Sequence, residues 1–263
     1  ALIDPPVVEA PFEEAVEGIK FAQSESKSGN IVIEKYMGQK NDFSMTIIVV
    51  NGKAYPFRTV DRFLGKYEDG LDKLAVGAAM PSVFTKIYMD NVHKKVENFI
   101  KEVGLINAPV FMQGFVDGDT VRFYDPGLRF PGGEYERMFR FATGKNLFYP
   151  LIEYALTGNV SEDIWLNGKI AVQVLPTLRR GKITAINGMD KIRNCLNVVS
   201  VFERFQIGDV IEETHNVNQR FSEIDVVCDS NEEMKKVISF IIFPKSEIDV
   251  GFTFAITSSI IAS

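Results

Sequence analysis

The sequence predicts an α+β protein built on a largely antiparallel sheet, and three observations carry that expectation. Apolar residues recur at helical spacing over 10–28, 87–103 and 234–242. Apolar or alternating runs of strand length lie between those segments. Two pairs of such runs are joined by turns short enough for hairpins, Asn51-Gly52 and Asp117-Gly118-Asp119. Hairpins interspersed with helices argue against a doubly wound parallel sheet, whose strands need long crossovers.

Taken in order, Phe12, Ala15, Val16, Ile19 and Ala22 mark a helix that Ser26-Lys27-Ser28-Gly29-Asn30 ends. Ile31 to Ile33 reads as a strand. Phe43 to Val50 is a second strand, and residues 54–60 return antiparallel to it across Asn51-Gly52, both of which tolerate positive φ. Ile87, Val92, Val96, Phe99, Ile100 and Val103 define a helix capped by Gly104. Val110–Val116 and Thr120–Tyr124 form the second hairpin. Glu134–Phe141 and Leu147–Leu156 read as short helices around Ala142-Thr143-Gly144. Composition shifts near Gly158-Asn159, placing an expected boundary between residues 1–158 and a smaller β-rich domain at 159–263. Strands are expected there at 170–175, 183–186, 198–204 and 224–228, followed by the helix 234–242. Arg58, Asp61 and Arg62 read as surface charges, with substrate-facing groups as the alternative, and Gln219-Arg220 as a polar loop, with a substrate contact as the alternative.

Composition narrows the function classes. A chain of 263 residues, 46% hydrophobic and 24% charged, is an ordinary globular one able to bury a substantial core. A net charge of −6 and a pI near 5.2 disfavour nonspecific attraction to nucleic acid or to an anionic membrane, while leaving room for a local phosphate pocket. No apolar run reaches spanning length. Cys195 and Cys228 are far apart and lack metal-ligand spacing, which fits a reduced, cytoplasmic protein. His93 and His215 are equally isolated, so a zinc site or a histidine-dependent triad has little raw material. The start, Ala1-Leu2-Ile3-Asp4-Pro5-Pro6, lacks a signal peptide's basic residues and an initiating Met; a processed, tagged or truncated chain is the expectation.

Chemistry concentrates in Val121 to Gly133. An alternating strand ends in Asp125, Pro126-Gly127 follows, Arg129 comes four residues after the acid, and Pro131-Gly132-Gly133 closes the run. Magnesium prefers oxygen ligands and usually bridges one or two carboxylates to nucleotide phosphates. A neighbouring arginine can neutralise charge that develops during phosphoryl transfer. Upstream, Ile31-Val32-Ile33-Glu34-Lys35-Tyr36-Met37 has the form of a strand-like segment able to meet a purine through its backbone.

Together these residues resemble the ATP-grasp superfamily, whose members activate carboxylates with ATP. The resemblance implies that Glu34 and Lys35 face the adenine amine, that the Met37 backbone contacts the ring, and that Asp42 meets the ribose hydroxyls. Asp125 matches the acid and Arg129 the arginine of the family's Glu-x-Asn-x-Arg strand, with Gly127 in place of the asparagine. Gln113 falls where many members carry glutamate and carbamoyl-phosphate synthetase large subunits carry glutamine. Gln113 and Asp125 are thereby the expected Mg²⁺ ligands, Arg129 the expected catalytic residue, and Gly132 and Gly133 backbone contacts to phosphate. Ala79-Met80-Pro81-Ser82 and Ala142-Thr143-Gly144 resemble further family segments. Residues 165–255 look like the small C-terminal domain of L-amino-acid-ligase-like members.

The implied function is a ligase with ATP and Mg²⁺ as cofactors and a small carboxylate as substrate, with a homodimer compatible. The family's phosphate-contacting lysine and glycine-rich lid normally precede the hinge by several tens of residues, and no matching segment precedes Glu34. Two readings stay open: the later part of such a ligase, or a noncatalytic nucleotide-binding or interaction domain on the same scaffold.

Overall fold

A computed structural model describes residues 12–34, 41–64, 74–132, 135–160, 168–212, 214 and 216–242. They fall into two compact units, residues 1–40 and 41–263. In the first, α1 (Phe12–Glu25) forms where the apolar periodicity places it, and Gly29 turns the chain with φ 71°. The strand expected at 31–33 does not form: Ile31 to Glu34 have no strand partner among the described residues, and Val32 and Ile33 are exposed. An isolated strand leaves its backbone groups to water, and apolar composition alone does not order it.

The second unit is organised around β1 (Asp42–Val50), β2 (Lys53–Leu64), β3 (Ala75–Met80), β4 (Ala108–Asp117), β5 (Thr120–Gly127), β6 (Ile170–Val174), β8 (Val198–Glu203) and β10 (Ser222–Cys228). These make one eight-stranded sheet in the order β5-β4-β1-β2-β3-β6-β10-β8, and each pairing in it is antiparallel. Two short strands, β7 (Gly181–Lys182) and β9 (Val210–Ile211), form a separate ribbon. The ribbon replaces the strand expected at 183–186. Ile183 instead turns inward with Leu178, Met189, Ile211 and Phe221.

Both predicted hairpins form. Asn51 and Gly52 adopt φ 50° and 74°, the double positive-φ geometry whose twist matches its flanking strands. Strand β3 escaped the sequence reading because Ala75-Val76-Gly77-Ala78-Ala79-Met80 is rich in small residues of low strand propensity. It lies between β2 and β6, so strands from either side of the composition shift at 158 share one sheet.

Helices cover both faces. Phe43, Asp61, Ala79, Val172 and Val226 pair in succession across five strands and therefore share a face. On it, α3 (His93–Glu102) packs Val96 and Ile100 against Phe43, Met45 and Ile47. The helix is reached through α2 (Thr85–Ile87) and a π-helical turn at Tyr88–Val92. On the same face α7 (Asn231–Ile242) packs Val237, Ile238 and Ile241 against Val172 and Val226. The other face takes α4 (Tyr135–Thr143), whose Met138, Phe139 and Ala142 meet Ile48, Val60, Ala78 and Ala171, with α5 (Tyr149–Thr157) beside it. The short α6 (Met189–Arg193) flanks β8. Among the described residues no helix is long and apolar enough to cross a membrane.

Candidate functional site: a polar strip across one sheet face

Strand β1 is buried along its whole length, so each polar side chain on it must find its partner inside the protein. Asp42, Ser44 and Thr46 alternate with the apolar residues that meet α3. Their cross-strand neighbours share their face: Gln113 lies opposite Ser44, Arg58 opposite Thr46, and Asp125 opposite Gln113. On the far side Arg62, Ala78, Gln173 and Asp225 pair in succession. The α4 side of the sheet thus carries a polar strip from β5 to β10.

At the β5 end the strip is one continuous chain of contacts. Arg62 Nη1 lies 3.4 Å from Asp42 Oδ2 and donates to the Tyr124 hydroxyl at 3.4 Å. With its amide turned so that the oxygen faces Arg62 and the nitrogen Asp125, the orientation that satisfies both neighbours, Gln113 accepts from Arg62 and donates Nε2 to Asp125 Oδ2 at 3.0 Å. Arg129 Nη2 stands 3.7 Å from the same Asp125 oxygen. Its guanidinium lies over the Phe111 ring, 4.8 Å from the centroid, and Nη1 donates to the Phe130 carbonyl at 3.2 Å.

A β-bulge makes this possible. Gln113 pairs with Asp125 but Gly114 pairs with Phe123, so Tyr124 is an extra residue on β5. Phe123 packs into the α3-side core, while Tyr124 stacks on Phe115 with ring centroids 5.0 Å apart. Regular alternation would send Asp125 to the face opposite Tyr124; the bulge puts both on the strip. Gly114 permits it. A Cβ there would lie 2.6 Å from the Arg122 carbonyl oxygen, inside backbone.

At the β10 end the network is closed. Arg137 Nε donates to Asp225 Oδ2 at 2.8 Å, Gln173 Nε2 donates to Asp225 Oδ1 at 2.9 Å, and Glu223 takes Arg204 and Arg137. These bonds tie α4 to the sheet. Between the two ends several polar atoms are unsatisfied: Asp42 Oδ1, Ser44 Oγ, and Nε and Nη2 of Arg58 are buried with no hydrogen-bond partner among the described residues.

Burial sets the electrostatics. It raises the Asp42 pKa to about 6, against the pull of Arg62 and with the push of Asp61. Burial also opposes the charge on Arg62, but Asp42, Tyr135 and Tyr124 outweigh it and hold that guanidinium above its usual pKa. The Tyr124 phenol is pushed up to about 12, chiefly by burial.

Of the residues expected to form the site, Asp42, Gln113, Asp125 and Arg129 lie on this one strip. Asp42 is turned toward Arg62 and buried, 3% exposed. Gly132 is exposed with open space around it. Glu34 is an exposed residue of the other unit, and Lys35, Met37 and Gly133 lie outside the described residues. Gly127 is absent from the positive-φ glycines, and a Cβ there would meet only the flexible Arg129 side chain, 3.3 Å from Nε.

Three residues read as surface charges are corrected. Arg58 and Asp61 are buried and Arg62 nearly so. Asp61 accepts from Ser82 Oγ and the Val83 N–H, fixing the entry to α2. Gln219, expected in a polar loop, is fully buried and donates to the Leu178 carbonyl. Tyr124 was missed as a site residue, and for Arg62 the surface reading outweighed the substrate-facing one. The available signal was Ile47-Ile48-Val49-Val50 in β1: a strand apolar on both faces is central, so charges on its hairpin partner are buried with it.

The donor set bears on magnesium. Among the described residues no three His, Cys, Asp or Glu side chains cluster. Asp125 is a single half-exposed carboxylate, and the Gln113 oxygen already faces Arg62. That set does not make a self-contained metal centre. It does fit an ion that takes its remaining ligands from nucleotide phosphates and water.

No protein-family model matches the chain, and no curated protein does. Solved structures do match. Phosphoribosylglycinamide synthetase from Anaerococcus prevotii aligns with TM-score 0.65 and 15% identity over 88% of this chain and 59% of its own. The L-amino acid ligase from Bacillus licheniformis aligns with TM-score 0.62 and 17% identity, over 74% of this chain and 50% of its own. Biotin carboxylase from Campylobacter jejuni, solved as a β,γ-ATP complex, aligns with TM-score 0.60 and 14% identity over 86% and 50%. The chain spans about half the length of these proteins. The likeness is one of fold: α+β, with the antiparallel sheet and helices of the ATP-grasp enzymes.

Proposed function

We propose that this chain is the phosphate-side portion of an ATP-grasp ligase that uses ATP to activate a small carboxylate for attack by an amine or similar nucleophile. The observation that carries this reading is the contact chain Asp42–Arg62–Gln113–Asp125–Arg129, which brings two guanidinium groups and a half-exposed carboxylate together on one sheet face. Arginines are suited to phosphate oxygens because their donors form a fixed fork.

The parent reaction has two steps. A carboxylate oxygen attacks the γ-phosphorus as the bond to ADP breaks, giving an acyl phosphate. The nucleophile then attacks the acyl carbon, loses its proton and expels phosphate. Asp125 would hold Mg²⁺ arriving with the nucleotide, and Gln113 would join it only by giving up its contact with Arg62. Bound there, the ion would neutralise phosphate charge. Arg129, braced by Phe111 and the Phe130 carbonyl, would stabilise the transferred phosphoryl group. Arg62 keeps its charge through Asp42 and extends the positive field along the strip. Glu34, Lys35 and Met37 are the proposed adenine contacts, and Gly132 and Gly133 the backbone donors to phosphate.

Calorimetric titration with a nonhydrolysable ATP analogue and Mg²⁺ tests this reading. Asp125→Asn should weaken Mg²⁺-dependent binding by tenfold or more with the thermal midpoint unchanged, since the side chain is half exposed. Wild-type affinity in that variant would show the carboxylate to be structural and would favour a noncatalytic scaffold.

A further inference from the structure

We infer that the buried edge of Arg58, midway along the polar strip and apart from the Asp125–Arg129 end, is a recognition site for an oxyanion, the carboxylate or phosphate group of a small ligand. The inference does not depend on the nucleotide reading.

Arg58 is 1% exposed, and its only hydrogen bond among the described residues runs from Nη1 to Thr46 Oγ1 at 3.3 Å. Nε and Nη2, which form the side-on fork of a guanidinium, have no partner. That pair of parallel N–H groups matches the two oxygens of a carboxylate or phosphate. The guanidinium stacks over Tyr135 at 4.7 Å from the ring centroid, which fixes its plane.

Among the described residues no carboxylate pairs with it. The groups whose charge acts on Arg58 are Tyr135 and a second cation, Arg62. Tyr135 and Arg62 also act on Arg220, together with Glu223 and Arg204, and the Arg220 Nε is buried with no partner among the described residues. Ser44 Oγ, two residues from Thr46 on the same face of β1, is a third unpartnered group. Burial lowers the Arg58 pKa only to about 10, so the side chain is a cation at neutral pH.

A buried, uncompensated cation is costly. A cavity of about 10 Å³ lined in part by Arg58 has room for roughly one water. A space of that size admits no carboxylate or phosphate, so an oxyanion reaches the fork only when the packing over it opens. An oxyanion on the fork would pair Nε and Nη2 and balance the charge, and the stacked Tyr135 holds the guanidinium plane for it.

The test is thermal unfolding of the 263-residue protein against increasing sodium phosphate, sodium acetate or sodium chloride at constant ionic strength. In the wild type we expect a saturable rise in midpoint with one of the oxyanions and none with chloride. Phosphate alone would mark a phosphoryl ligand, and acetate a carboxylate. Arg58→Met keeps the stem and removes the charge; it should match or exceed the wild-type midpoint without anion and lose the anion response. Arg58→Lys keeps the charge without the fork and should weaken the apparent affinity at least tenfold. Arg129→Ala, which alters the proposed nucleotide contact, should keep the full response. A wild type indifferent to both oxyanions, an unchanged response in Arg58→Met, or loss of the response in Arg129→Ala would each overturn the assignment.

Discussion

Asp42 shows how a single residue reports on the site. It is a buried carboxyl whose pKa rises from 3.8 to about 6, because burial outweighs the nearby Arg62. Between those values the folded protein keeps a proton that the unfolded chain has released. The resulting stabilisation is full below about pH 4 and is lost as pH rises toward 6. A shift of this size corresponds to about 2–3 kcal/mol. Asp61 and Asp225 shift in the same direction, also through burial, and add to the trend. Asp42→Asn should therefore flatten the decline in stability between pH 4 and 6 without abolishing it. Urea unfolding at pH 4, 5, 6 and 7 checks this, and an unchanged decline would mean that Asp42 titrates normally.

At the scale of elements, the β4–β5 hairpin decides whether the strip exists. Its bulge at Tyr124 brings Asp125 beside Gln113, and Gly114 lets the strands close at that point. Gly114→Ala would place a methyl group against the Arg122 carbonyl, with no flexible side chain to yield. We expect a loss of about 1–3 kcal/mol together with weaker nucleotide binding, since Asp125 would move relative to Gln113. Gly132→Ala serves as the control for stability, because the space around Gly132 is open. If Gly114→Ala unfolds like the wild type in urea, the bulge does not depend on that close approach.

For the whole molecule, the decisive feature is that β3 pairs with both β2 and β6. The sheet therefore runs without a break from β5 to β8, across the composition shift at residue 158. Arg137 reinforces the junction by tying α4 to β10. Residues 41–242 should unfold in one cooperative transition. Hydrogen exchange under mild denaturant should show strands β1 and β10 losing protection together. Two resolved transitions would mean that the β3–β6 seam is a domain interface rather than part of a single sheet.

Much of this protein is legible in its sequence because the relevant physics is local. Asn51-Gly52 specifies a hairpin through its own φ preferences, and the periodicity of residues 87–103 specifies an amphipathic helix. The spacing from Asp125 to Arg129 identifies an acid and an arginine that do come within 3.7 Å of each other. What only the tertiary structure decided depends on contacts between residues far apart in the chain. Whether Arg58 and Arg62 are buried follows from β2 lying between β1 and β3, and β3 is too poor in large residues to announce itself. Which face Asp125 occupies follows from a one-residue slip against β4, and one slip in a period of two reverses a side chain's direction. Pattern along a strand sets the alternation; pairing between strands sets its phase, and the phase put these charges on one face.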